Sequence, residues 1–241
     1  MPSLYKGNHF DIAGFLIGIK ENYKTLNIGK GDQFKPSFLK ISPNNRIPAI
    51  IDPNGPGGKP ISVFESGAIL QYLGRKSGKF YPKNERERSN VDQWLFWQMG
   101  GLGPMAGQAH HFRMYAPQFT KEKLTYSKKR YTNEVNRLYG VMNKQLRKND
   151  YLAGRYSIAD MACWGWILPS KISTKMQGQK LKEFPHLFKW FEKVGIRPAV
   201  QKGLDVGKVM RMLAKASRSG LSEKTKEAKK ARSLLFNQKA R

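Results

Sequence analysis

Two short stretches carry the residue types that would hold a small peptide-like ligand. One is Ile47-Pro48, set between a polar turn and an apolar run. X-Pro bonds are the ones that adopt cis; in that form the N–H and C=O of Ile47 turn outward and can pair with an extended ligand laid antiparallel. The other is Glu65-Ser66, at the expected start of a helix. The amide and hydroxyl of Ser66, with the helix dipole, make a carboxylate site. Glu65 can take an adjacent ammonium. Together the two stretches suit a ligand headed by an α-amino acid. Taken alone, Ser66 reads first as a helix N-cap, and it is the combination with Ile47-Pro48 and Glu65 that favours a ligand site.

Other chemistry finds less support. The single cysteine, Cys163, excludes an intramolecular disulfide and a cysteine-based zinc site. It sits among Met161, Ala162 and Trp164 on an expected helix and reads as a buried structural thiol. His110 and His111 diverge on a helix, which favours a structural or pocket role over metal binding; no metal is expected. Neither a G-x-x-x-x-G-K-[ST] loop nor a G-x-S-x-G elbow is present.

The elements that must position these residues fall into two textures. Residues 1–82 hold 8 of the 13 prolines, with turn clusters at 42–45 (SPNN) and 52–58 (DPNGPGG). The short apolar runs IPAII and ISVF flank the second cluster, which predicts two strands and a tight hairpin in a small mixed sheet. A helix follows from Ser66, with Ala68, Ile69, Leu70, Tyr72 and Leu73 on its apolar face. Residues 83–201 read as all-helical: spacings of three and four predict helices over 85–99 and 121–147. Ser157 and Asp160 form a capping box, with Tyr156 and Met161 as its hydrophobic staple. A last helix begins at Pro185. The fold class is α/β followed by all-α.

The 241 residues include 44 Lys and Arg against 17 Asp and Glu, a net charge of +27. Such a balance points to anionic partners. It is densest in the tail, 202–241, with 12 basic and 3 acidic residues. The tail reads first as a solvated extension, with an anionic membrane or nucleic acid as its other candidate partners. Nearly lacking aromatics, it favours phosphate contacts over base stacking. The longest apolar run, 12–19 (IAGFLIGI), is too short to span a bilayer. No small-residue cleavage site follows it, which reads against a signal peptide.

Four stretches resemble the cytosolic glutathione S-transferases, and among them the Nu class of bacterial disulfide-bond oxidoreductases. They are 31–52 (GDQFKPSFLKISPNNRIPAIID), 63–73 (VFESGAILQYL), 94–112 (WLFWQMGGLGPMAGQAHHF) and 156–166 (YSIADMACWGW). The resemblance implies a thioredoxin-like glutathione-binding domain (1–82), a helical C-terminal domain (83–201) and the basic tail, acting as a cytoplasmic homodimer with glutathione as co-substrate. It also implies roles. Ile47, before cis-Pro48, would pair with the cysteinyl part of glutathione. Glu65 and Ser66 would hold the γ-glutamyl head. Gln33 matches a further contact, Arg46 would meet the glycyl carboxylate, and Arg130 would reach the partner subunit's site.

One departure stands out. The Nu class has a Thr-Pro-Asn turn after its first strand, facing the glutathione sulfur. Here residues 4–10 run LYKGNHF, shorter and without Thr-Pro. Asn8 is the candidate stand-in as catalytic amide donor. The implied activity is attack of bound glutathione thiolate on a disulfide or an electrophile. The alternative is a non-catalytic glutathione-transferase-like scaffold whose basic tail contacts a polyanion or membrane.

Overall fold

The computed structural model describes residues 3–6, 22–26 and 31–205, with side chains for 26 and 31–204. Asn8 and residues 206–241 of the basic tail lie outside the described residues.

Four strands form one mixed sheet: β1 (Ser3–Lys6), β2 (Asn22–Thr25), β3 (Ala49–Asp52) and β4 (Ile61–Phe64), in the order β2-β1-β3-β4. β1 runs parallel to β2 and antiparallel to β3, and β3 runs antiparallel to β4. The hairpin expected from the Gly/Pro cluster joins β3 to β4. Asp52 opens it by accepting the Asn54 amide at 3.0 Å, and Gly57 and Gly58 supply the positive φ its turn requires. Ile61 and Val63 of β4 are half-buried while Ser62 and Phe64 are exposed, the two-residue alternation of a one-faced strand. Phe38, Ala49, Ile50 and Ile69 are buried.

Contacts group the described residues up to Ile69, with 201–205, in one compact unit and Leu70–Val200 in another. The division falls within α2 (Ser66–Ser77), the helix that follows β4. In the second unit α3 (Glu85–Trp97) begins on Asn84, whose side chain accepts the Glu87 amide at 3.2 Å. It stops short of the expected Met99. Residues Gln98–Leu102 form a π turn, α4 (Gly103–His110) continues, and His111–Tyr115 form a second π turn. Gly103 is needed here: a Cβ would come within 2.6 Å of the Gln98 side chain and 3.2 Å of the Trp166 ring. The next helix, α5 (Thr125–Leu146), also starts later than the expected residue 121. Thr120 Oγ1 takes the Glu122 amide at 3.1 Å and Leu124 turns left-handed at φ 51°, so the preceding residues are spent on a turn.

The capping box forms as the spacing predicts. It opens α6 (Ile158–Ile172), with Ser157 donating its amide to Asp160 at 3.0 Å. Tyr156 packs edge-on to Phe80 and beneath the Arg197 guanidinium, 3.7 Å from its ring centre. The short α7 (Thr174–Gln177) precedes α8 (Pro185–Gly195), which buries Leu187, Trp190, Phe191 and Val194. Each such side chain contributes roughly 1.5–3 kcal/mol. No described helix is long and apolar enough to cross a membrane.

Candidate functional site

The sheet brings the two stretches together. In the β3–β4 ladder Ala49 faces Phe64, so Pro48 and Glu65 leave the end of the hairpin side by side, one entering the sheet and the other leaving it. The Ile47-Pro48 bond is cis. The turn before it is braced from within: Ser42, fully buried, donates its hydroxyl to the Arg46 carbonyl at 2.7 Å. The exposed Arg46 guanidinium donates to the Asn45 side chain and, at 3.4 Å, to its carbonyl.

Glu65 is exposed and sits at φ 68°. A non-glycine residue there carries strain of about 1–3 kcal/mol, and such outliers cluster at ligand sites. This left-handed step ends β4 and starts α2 at once. The Glu65 carbonyl accepts the Ile69 amide at 2.9 Å, so Glu65, not Ser66, is the cap residue. Ser66 becomes the first helical residue, which places its amide at the positive end of the helix. One carboxylate oxygen of Glu65 accepts from Asn44 Nδ2 at 3.3 Å, tying the 42–45 turn to the helix start. The sequence marks Asn44 only as a turn residue; its part in the site depends on a partner 21 residues away.

The remaining expected residues are placed differently. Gln33 lies in the 3-10 turn Asp32–Phe34 and is only 2% exposed. Arg130 stands on α5, in the other compact unit, exposed and 3.6 Å from Glu134. Glu134 also takes both Nε and Nη2 of Arg137, at 3.0 and 2.6 Å, and these hydrogen bonds hold its carboxyl below the usual range. Cys163 is fully buried, and burial pushes its thiol well above the ordinary value, the opposite of a reactive cysteine. His110 stacks on Tyr115 with ring centres 5.1 Å apart, and the described residues contain no group of three or more metal-ligating side chains. A cavity of about 560 Å³ between α3 and the end of α5 is lined by Trp94, Trp97, Gln145 and Asn149, and by none of the expected site residues.

A thioredoxin-like sheet unit with a cis-proline turn beside a helix N-terminus, followed by a helical unit, defines a class that comparisons identify. The glutathione S-transferase N-terminal domain model matches residues 8–75, and the C-terminal domain model matches residues 109–204. The chain is 46% identical over 201 residues to the disulfide-bond oxidoreductase YfcG of Escherichia coli K12, covering 82% of this chain and 90% of that one. It is also similar to a glutathione transferase from Pseudomonas putida crystallised with one glutathione disulfide per subunit. That match has a TM-score of 0.77 and 37% identity, over 85% of this chain and 91% of the other. A glutathione transferase family member from Pseudomonas fluorescens Pf-5, with two glutathione bound, matches with a TM-score of 0.77 and 38% identity, over 84% and 92%. The chain belongs to the glutathione S-transferase family.

Proposed function

We propose that this chain is a glutathione-dependent thiol–disulfide oxidoreductase that also serves as a transferase to electrophiles. The observation that carries the proposal is Glu65 and Ser66 at the start of α2, beside the Ile47-Pro48 turn across one end of the β3–β4 ladder. The Glu65 carboxylate binds the γ-glutamyl ammonium. The Ser66 amide and hydroxyl, at the positive end of the helix, bind its α-carboxylate. The Ile47 backbone pairs with the cysteinyl unit, Arg46 takes the glycyl carboxylate, and Gln33 supports the tripeptide from below.

The chemistry asks little more of the protein. The bound glutathione thiolate attacks one sulfur of a disulfide, whose S–S bond breaks. A mixed disulfide forms and the first substrate thiolate leaves. A second glutathione thiolate attacks the glutathione sulfur of the mixed disulfide, giving glutathione disulfide and the second substrate thiolate. Asn8 and nearby amides lower the pKa of the glutathione thiol. Cys163, inert and buried, takes no part. The reading includes domains at 1–82 and 83–201 with the tail at 202–241, a cytoplasmic location, and a homodimer in which Arg130 serves the partner's site.

Retention on immobilised glutathione and turnover of hydroxyethyl disulfide test this. Ser66→Ala should weaken glutathione binding about tenfold, the worth of one hydrogen bond to a charged group. A wild-type chain that binds glutathione no better than the variant defeats the reading. The second reading, a non-catalytic scaffold, is favoured by the missing Thr-Pro in residues 4–10. It is upheld if glutathione binds with no disulfide turnover.

A further inference from the structure

With the basic tail set aside, the charge is distributed unequally along the chain. Residues 1–69 carry 8 Lys and Arg against 5 Asp and Glu; residues 70–200 carry 24 against 9. Glutathione is a small anion and its proposed head-binding residues lie in the first unit, so it leaves the charge of the helical unit unexplained.

Much of that charge gathers where α8 lies along the end of α5. Asn143 Oδ1, on α5, accepts the amides of His186 and Leu187 at 2.9 and 3.1 Å, staking the start of α8 to α5. Further along α8, Lys193 reaches Asp150 at 3.1 Å and lies 4.5 Å over the Tyr151 ring, just past the end of α5. The flank of α8 that carries His186, Lys189 and Lys193, at spacings of three and four, therefore faces the last turn of α5. That turn and the two residues after it expose Lys144, Arg147 and Lys148. Lys182 adds a charge before α8, and Arg197 adds another after it.

Against these cations Asp150 is the one acidic partner found there among the described residues. Glu183 is turned to Lys180 at 3.5 Å and Glu192 to Lys171 at 2.6 Å. We propose that this face, the α8 flank with the last turn of α5, docks the phosphate backbone of a duplex nucleic acid. Three features favour that partner. The cations follow a helix of 11 residues, about 16 Å long, along which one DNA strand passes roughly five phosphates. The tyrosine rings on this face lie under cations, Tyr151 under Lys193 and Tyr156 under Arg197, so they offer no platform for unpaired bases. Ile196 is the sole large exposed apolar side chain at its edge among the described residues, too little to insert into a bilayer.

The test is fluorescence anisotropy of a labelled 20-bp DNA duplex with the full chain, from 50 to 200 mM salt. About five phosphate contacts give a log–log salt slope near −4.5 and a roughly 500-fold loss of affinity over that range. Lys144→Ala, Lys148→Ala and Lys189→Ala together should flatten the slope by about 2.7. The triple Lys121→Ala, Lys123→Ala and Lys175→Ala removes equal charge elsewhere on the same unit and should change the slope by less than 1. Equal effects of the two triples, or an unchanged slope in the first, overturns the proposal. So does tighter binding to vesicles with 30% phosphatidylserine than to the duplex, lost in the first triple, since the face would then belong to a membrane.

Discussion

Two helices of this chain begin with a serine and an acidic residue, and the fold uses them in opposite ways. At the start of α6 the capping box is closed. Asp160 is fully buried and accepts four hydrogen bonds: from the Leu152 amide, the Ser157 amide, the Ser157 hydroxyl and the Trp190 indole, at 2.9–3.2 Å. At the start of α2 the acid is Glu65, exposed, left-handed, and held by Asn44 at 3.3 Å. Spacing makes the difference. An acid three residues after the serine folds back onto the cap and satisfies it. An acid immediately before the serine points away from the helix, and its carboxylate stays accessible. The first arrangement spends its polar groups on stability; the second, on our reading, keeps them for a ligand.

The comparison breaks most visibly at Asp160. Asp160→Ala leaves buried donors without an acceptor and should destabilise the chain by about 3–5 kcal/mol in urea denaturation, with glutathione retention intact in the protein that remains folded. A loss below 1 kcal/mol would mean the box is not the anchor its hydrogen bonds suggest.

Acidity offers the next largest effect. Burial raises the Asp160 carboxyl from 3.8 to about 6, against the pull of its donors. The folded chain holds this proton more tightly than the unfolded one. The associated stability is therefore full below about pH 4 and is lost as pH rises through 6, roughly 3 kcal/mol in all. Asp160→Asn does not titrate and should lack that slope. Urea midpoints from pH 4 to 7 compare the two, and parallel curves would remove burial as the cause.

Glu65 should behave in the reverse sense. Glu65→Gly relieves a left-handed non-glycine residue and should raise Tm by about 2–4 °C, while glutathione retention falls at least tenfold. A variant less stable than wild type would show that Glu65 is structural. The smallest effect belongs to its brace. Asn44→Ala should raise KM for glutathione about two- to threefold with kcat unchanged, the mark of lost binding that is equal in ground and transition states.

The same contrast explains what could be read from the sequence. The capping box was legible because its chemistry is local, contained in Ser157 and Asp160 three residues apart. The hairpin was legible from its glycines and prolines. Glu65-Ser66 was visible as a pair, but its order of use was not: the cap is Glu65, because the end of β4 forces a backbone turn that no side-chain pattern announces. Trp190 as a donor to Asp160 and Asn44 as a donor to Glu65 are separated from their partners by 30 and 21 residues. Nothing in composition or period encodes such pairs. Asn8, the proposed thiol activator, lies outside the described residues and is legible only through the family resemblance.

The two π turns that bracket α4 also fix how this protein can change length. Each adds one residue to a ladder that otherwise advances in fours. Deleting a single residue from Gln98–Leu102 would restore an unbroken α-helix and leave the flanking helices facing as they do, because the wide turn absorbs its extra residue locally. Gly103 would keep its place against the Trp166 ring, whereas a deletion inside α4 would turn everything beyond it by about 100° about the axis. The residue count is therefore strictly set within α4 and adjustable by one at each turn that brackets it.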